Sequence, residues 1–299
     1  MLRRNEQMAV LGEGRAHGGC SLLHAAAFGY GASIGLNLPI AVRVLDKAKK
    51  KKPQDDSGLL NHVITAWLEA NHPLPVDERG DLHWSVASKI PIGQGLKSSS
   101  ALCVAAIRAL AQSVNIETSN EEVVHLATRA HLLSDITLTG SIDDAWACST
   151  PGWKLIDTQA EITEGVLIDN NELNPDDWTI LIILRGERTH RPNLEDFQVA
   201  HQPFEQALQA LQNGNPWVAL TWNGRGIAAV TRDVEGRKMA NDAFVNGARA
   251  SGISGSGNAI VVVVPSGNEF LVQRLRDWYS QRYSNTEILE CQIIQSEDE

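Results

Sequence analysis

The chain has 299 residues, 43% hydrophobic and 21% charged, with 26 Lys and Arg against 36 Asp and Glu for a net charge of −10. Those values describe a folded chain of one large domain or two ordinary ones and exclude a disordered one. The acidic balance leaves no basic stripe to displace counterions from nucleic acid, and no apolar run approaches the ~18 residues of a membrane span.

Met1-Leu2-Arg3-Arg4 is followed by Glu6, Glu13, Arg15 and His17, which an apolar signal-peptide core would not tolerate. Cys20, Cys103, Cys148 and Cys291 form no CxxC pair and have no His at zinc spacing, so they read as buried, reduced thiols. A cytoplasmic location is expected, with small molecules as partners and neither nucleic acid nor membrane.

A first strand begins at Met8–Leu11. Gly14–Gly35 is dense in Gly, Ser and Ala, which lets a backbone approach a ligand or a helix closely. Leu36–Leu45 reads as a strand, and the lysine run Lys47–Lys52 as a solvated hairpin tip. Leu59, Leu60, Val63, Ile64 and Trp67 have helical spacing over Gly58–Ala70, and Asp81–Ser88 alternates as a half-buried strand. Ser98–Ser113 is almost wholly apolar, which predicts a buried helix, and Glu121–Leu133 predicts a second beside it.

Composition changes near residue 165, which predicts domains over 1–165 and 166–299. In the second, Trp178–Leu184 reads as a strand and Asn193–Gln212, Pro216–Val230 and Val234–Ala250 as helices. Ala259–Val264 reads as a strand, Glu269–Tyr283 as a helix and Thr286–Ile294 as a last strand. This order resembles a split βαβ sandwich of the ferredoxin-like type, so the fold class is α+β.

Between the strand ending at Ser88 and the buried helix lies Pro91-Ile92-Gly93-Gln94-Gly95-Leu96-Lys97-Ser98-Ser99-Ser100-Ala101. A glycine loop running into a helix N-terminus offers unpaired N–H groups at the positive end of the helix dipole, a site for phosphate. The order Gly95-Leu96-Lys97-Ser98 has no Gly-Lys pair, so it is not a Walker loop. Lys97 can still neutralise phosphate charge and a serine hydroxyl can ligate Mg²⁺. An N-cap alone would need a single Ser.

The pattern Pro-x₃-Gly-Leu-x-Ser-Ser-x-Ala resembles the central ATP motif of the GHMP kinases, the family of galactokinase, homoserine kinase and mevalonate kinase. Two further segments are similar in order. Thr139-Gly140-Ser141-Ile142-Asp143-Asp144-Ala145 resembles the loop of the catalytic aspartate, and Ser251-Gly252-Ile253-Ser254-Gly255-Ser256-Gly257-Asn258 resembles the C-terminal glycine motif. The Lys and third Ser of GLKSSSA, the doubled acid of TGSIDDA and the glycines of Gly29–Leu38 are similar to the archaeal-type shikimate kinases.

The resemblance implies a ribosomal protein S5 domain 2-like N-terminal domain before the ferredoxin-like one, and a monomer or homodimer. It implies ATP and Mg²⁺ as cofactors and phosphorylation of shikimate to shikimate 3-phosphate, in aromatic amino-acid synthesis. Asp143 would be the catalytic acid, with Asp144 capping the segment after it. Gly252, Ser254, Gly255, Ser256 and Gly257 would close over phosphate and substrate.

Many GHMP kinases hold Mg²⁺ with a Glu on the helix some eleven residues before that aspartate. Here the neighbourhood reads His131-Leu132-Leu133-Ser134-Asp135, leaving Asp135 or Ser99 as metal ligands. An arginine should meet the substrate carboxylate, with Arg15, Arg188 and Arg191 preferred and Arg43 and Arg185 also available. Homoserine- or mevalonate-type kinases and an inactive nucleotide-binding module are the alternatives.

Overall fold

The computed structural model describes residues 8–49, 58–77, 80–186, 192–284 and 286–295. Strands β1 (Val10–Leu23) and β2 (Tyr30–Leu45) form a long antiparallel hairpin. The glycines of β1 serve helix packing: a Cβ on Gly14 would lie 2.1 Å from the Ala105 carbonyl oxygen of the buried helix. Helix α1 (Leu59–Glu69) precedes β3 (His83–Ser88), which pairs with the far half of β2. The lysine run lies largely outside the described residues.

Helix α2 (Ser98–Ser113) is apolar all round because it is covered all round, by β1 and β2 and by α1 and the next two helices. Those are α3 (Asn120–Ser134), started by Ser119 accepting from the Glu122 amide, and α4 (Ile142–Ser149). Strands β4 (Trp153–Asp157) and β5 (Val166–Asn170) complete a sheet ordered β1-β2-β4-β5, with β3 also on β2. Because β5 belongs to this sheet, the first layer runs past residue 165.

The second sheet begins at β6 (Trp178–Leu184). The expected helix over Asn193–Gln212 is two, α5 (Leu194–Val199) and α6 (His201–Gln212), broken at Ala200. Pro203 explains the break, since its ring would collide with the Val199 carbonyl of a continuous helix. Helix α7 (Pro216–Val230) is as expected. Helix α8 (Val234–Val245) stops short of Ala250 because Asn246 and Gly247, at φ +103°, terminate it.

Strand β7 (Ala250–Ile253) follows, then β8 (Ile260–Pro265), α9 (Glu269–Arg282) and β9 (Glu287–Cys291). The sheet order β7-β8-β6-β9, antiparallel throughout, is the ferredoxin-like arrangement. The two layers are stitched where the segment after β9 meets β2: Asn37 N–H donates to the Gln292 carbonyl at 2.8 Å, and Ile294 N–H to that of Gly35 at 3.2 Å. Helix α7 packs on both β7 and β1. No helix among the described residues is long and apolar enough to cross a membrane.

Candidate active site

The seam between the layers holds a cavity of about 310 Å³, within the range of small-molecule sites. Its walls are Ile92, Gly93 and Gly95–Ser99 of the loop into α2, Ile136–Thr139 after α3, and Ser141, Asp143 and Asp144 of α4. Ser21 near the end of β1, His24 and Ala25 from the β1–β2 turn, and Gly255 and Ser256 after β7 close it. The three motifs, far apart in sequence, therefore share one space.

Helix α2 begins without a side-chain cap, since Lys97 occupies the N-cap in a left-handed conformation at φ 65°. The serines thus do not cap, and Ser98 and Ser99 face the cavity beside the first-turn amides. Ile92, Gly93 and Gly95–Lys97 line it too, whereas the other members of the loop are scaffolding. Gln94 is buried and donates through Nε2 to the Gly186 carbonyl, while Ser100 and Ala101 lie in the core. Pro91 does not border the cavity.

The C-terminal glycine segment divides in the same way. Gly255 and Ser256 line the cavity, but Gly252 is in β7, where a Cβ would lie 2.4 Å from the Leu220 carbonyl oxygen of α7. Gly257 packs against the loop into α2, where a Cβ would lie only 2.2 Å from Gln94 C and Gly95 N. Ser254 Oγ donates to the Gly95 carbonyl at 2.8 Å and accepts from Ser21 N–H at 3.2 Å, tying three segments together. Ser254→Ala is expected to lower folding stability by about 1–3 kcal/mol, read as a drop in Tm, because buried backbone groups lose their partner.

Asp143 and Asp144 sit in the first turn of α4, where the helix dipole favours negative charge. Asp143 is buried against Gly31, at which a Cβ would lie 2.6 Å from the carboxyl carbon. Ser33 Oγ lies 3.1 Å from Asp143 Oδ2 and 2.9 Å from Asp144 Oδ1. Burial, then the neighbouring Asp144 charge, raise the Asp143 pKa to about 7 against the pull of Lys97 and Ser33. Asp144 is not a cap: its Oδ1 pairs with Lys97 Nζ at 2.6 Å. Burial pushes its pKa up, but the ammonium outweighs that and holds it below the usual value.

The remaining expected ligands fall elsewhere. Asp135 ends α3 in a left-handed turn at φ 55° and is exposed, whereas the residues after it line the cavity. Arg15 is on the outer surface of β1, 73% exposed and paired with Glu13, which Arg43 also engages. Arg185 is held by Asp233 and the Asn258 carbonyl. Arg188 and Arg191 lie outside the described residues. Gly31, Ser33, Ser21 and His24 border the site although the sequence reading did not single them out one by one; all four lie in the flagged stretch Gly14–Gly35.

A family model, the GHMP kinases N terminal domain, matches residues 61–152. The shikimate kinase of Pyrococcus abyssi is 30% identical over 224 residues, covering 71% of this chain and 78% of that protein. The chain belongs to the GHMP kinase family. The shikimate kinase of Methanobrevibacter smithii is 26% identical over 294 residues, covering 94% of this chain and 98% of its own length. GHMP kinase folds superpose on the whole molecule. The mevalonate kinase of Methanococcus jannaschii gives a TM-score of 0.67 at 14% identity, covering 98% of this chain and 100% of that one. Lactococcus lactis galactokinase gives 0.66 at 13% identity, covering 96% and 94%.

Proposed function

We propose that this GHMP kinase transfers the γ-phosphoryl group of ATP to the 3-hydroxyl of shikimate, giving shikimate 3-phosphate, ADP and a proton. The observation that carries the phosphoryl-transfer chemistry is one cavity joining an uncapped helix N-terminus to a buried, readily protonated carboxylate. The choice of acceptor rests on the shikimate kinases to which the chain is similar along most of its length.

The amides from Gly93 to Ser99 hold the triphosphate, with Gly255 and Ser256 facing them across the cavity. Asp143 takes the proton of the attacking hydroxyl as its oxygen bonds to γ-phosphorus and the bond to the β–γ bridging oxygen breaks. Ser21, Thr137, Thr139 and Ser141 give the cavity a hydroxyl-rich lining suited to a polyhydroxylated acceptor.

Mg²⁺ fits this donor set. Among the described residues no group of three acidic, His or Cys side chains could hold a metal by itself. A serine hydroxyl and a carboxylate bordering one cavity do suit Mg²⁺ held chiefly by phosphate oxygens. Ser99 is the proposed protein donor; Asp135 stands outside the cavity. Bound there, the ion would neutralise charge on the β- and γ-phosphates. The four cysteines, all buried and unbridged, accord with a reducing cytoplasm.

The test is ADP release by the purified protein with shikimate, homoserine and mevalonate in parallel. Turnover confined to shikimate is expected. Turnover on either other acceptor without shikimate overturns the substrate, and nucleotide binding without any turnover overturns the enzyme.

A further inference from the structure

Lys97 stands in a phosphate-binding loop, where a lysine is ordinarily read as a phosphate ligand. Its ammonium is engaged elsewhere. Nζ lies 2.6 Å from Asp144 Oδ1 and donates to Ser21 Oγ, and the side chain is 6% exposed. The backbone of Lys97 reaches the same helix, its carbonyl lying 3.9 Å from Cys148 Sγ. One residue thus touches the first turn of α4 with its tip and the last turn with its main chain. Its left-handed conformation, unfavourable for a lysine, is held by these contacts at both ends and by the Ala101 amide.

We infer that Lys97 and Asp144 form a positioning pair for Asp143, so that Lys97 belongs to the acid loop and is not a ligand of the ATP phosphates. This rests on the kinase reading above. Asp143 is bounded on one side by the β2 backbone at Gly31 and on the other by Asp144, and Ser33 Oγ bridges the two carboxylates. Without Lys97, two adjacent buried carboxylates would face each other with one anion uncompensated. One of them would then have to turn away, which breaks the arrangement, or take up a proton. His24 also faces Asp144 from the β1–β2 turn, but its pull on the carboxylate is weaker than those of Lys97 and Ser33.

The experiment compares wild type with Lys97→Met, Asp144→Asn, the double variant and Lys97→Arg. Affinity for a non-hydrolysable ATP analogue is measured by calorimetry and kcat by ADP release. Lys97→Met is expected to leave analogue affinity within about threefold and to lower kcat about 100-fold, the cost of an ångström-scale misplacement of a reacting group. The double variant should lose no more than the worse single variant, because the pair acts as a unit. Lys97→Arg should recover about tenfold of the loss, since it keeps the charge opposite Asp144.

Analogue binding weakened tenfold or more with kcat preserved makes Lys97 a phosphate ligand and overturns the inference, as do losses that add in the double variant. If Lys97→Met does not fold, the double variant, which removes both members of the ion pair and so leaves Asp144 no unpaired charge, decides by the same two readouts. The analogue measurement needs no acceptor. A wild type inactive on shikimate therefore sinks the substrate reading while the role of Lys97 is still decided.

Discussion

Asp143→Asn is expected to lower kcat by about 10²- to 10⁴-fold, the range for removing a general base, while ATP-analogue affinity stays near wild type. Asn keeps the shape that fits against Gly31 and the contact with Ser33, so the loss falls on proton acceptance rather than on packing. The same carboxyl sets a pH dependence. Its pKa lies near 7 because burial and the Asp144 charge disfavour the anion, and the anion is the form that takes the hydroxyl proton. Initial rates below saturation should therefore climb as pH rises through about 7 and then level. Asp144→Asn should move that limb to lower pH by removing the repelling charge.

The stability sign runs the opposite way. A carboxyl with a folded-state pKa raised from 3.8 to about 7 favours the fold while it keeps its proton, and that contribution is lost as pH rises through about 7. Asp143→Asn should melt above wild type at alkaline pH, with the difference closing on acidification. A difference in Tm that does not vary with pH would contradict this account of the buried carboxyl.

Gly257→Ala should disable the site from outside the cavity. The added Cβ would lie 2.2 Å from Gln94 C and Gly95 N, main-chain atoms that cannot rotate away. The loop into α2 and the C-terminal glycine segment must part, and a shift near 1 Å costs about 100-fold in rate. Stability should fall by about 1–3 kcal/mol as for other overpacked sites. Steady-state kinetics and a thermal melt on one preparation check both. Gly267→Ala is the control: φ there is +76° but nothing lies within 4 Å of the added Cβ. It should cost about 1–2 kcal/mol of backbone strain and leave kcat and KM unchanged.

Local pattern made much of this legible. Ser98–Ser113 was readable as a buried helix because its apolar residues point in all directions, and Trp178–Leu184 as a central strand because its apolar run is short and β-branched. Strands β4, β5 and β7 were not marked out. Each is four or five residues long, and Ala250–Ile253 carries a glycine whose reason is contact with Leu220 and Gly224 of α7. The break at Ala200 and the early end of α8 were signalled by Pro203 and by Asn246-Gly247, which outweighed an otherwise helical pattern.

By itself the sequence determined that a loop rich in glycine and serine opens a buried helix, that an acid pair and a glycine segment follow in order, and that the balance of charge is acidic. Those properties are written in residue type and short spacing, where helix ends, turns and periodicity act. Only the tertiary structure decided which members of each motif reach the ligand space. Ser254, Gly257 and Gly252 are drawn into contacts between segments more than a hundred residues apart or between a helix and a strand, and Arg15 is left on the surface with Glu13. Lys97 and Asp144 were legible as charges but not as partners. Their pairing exists because packing α2 and α4 on one hairpin buries both ends together, and a buried charge must find its opposite.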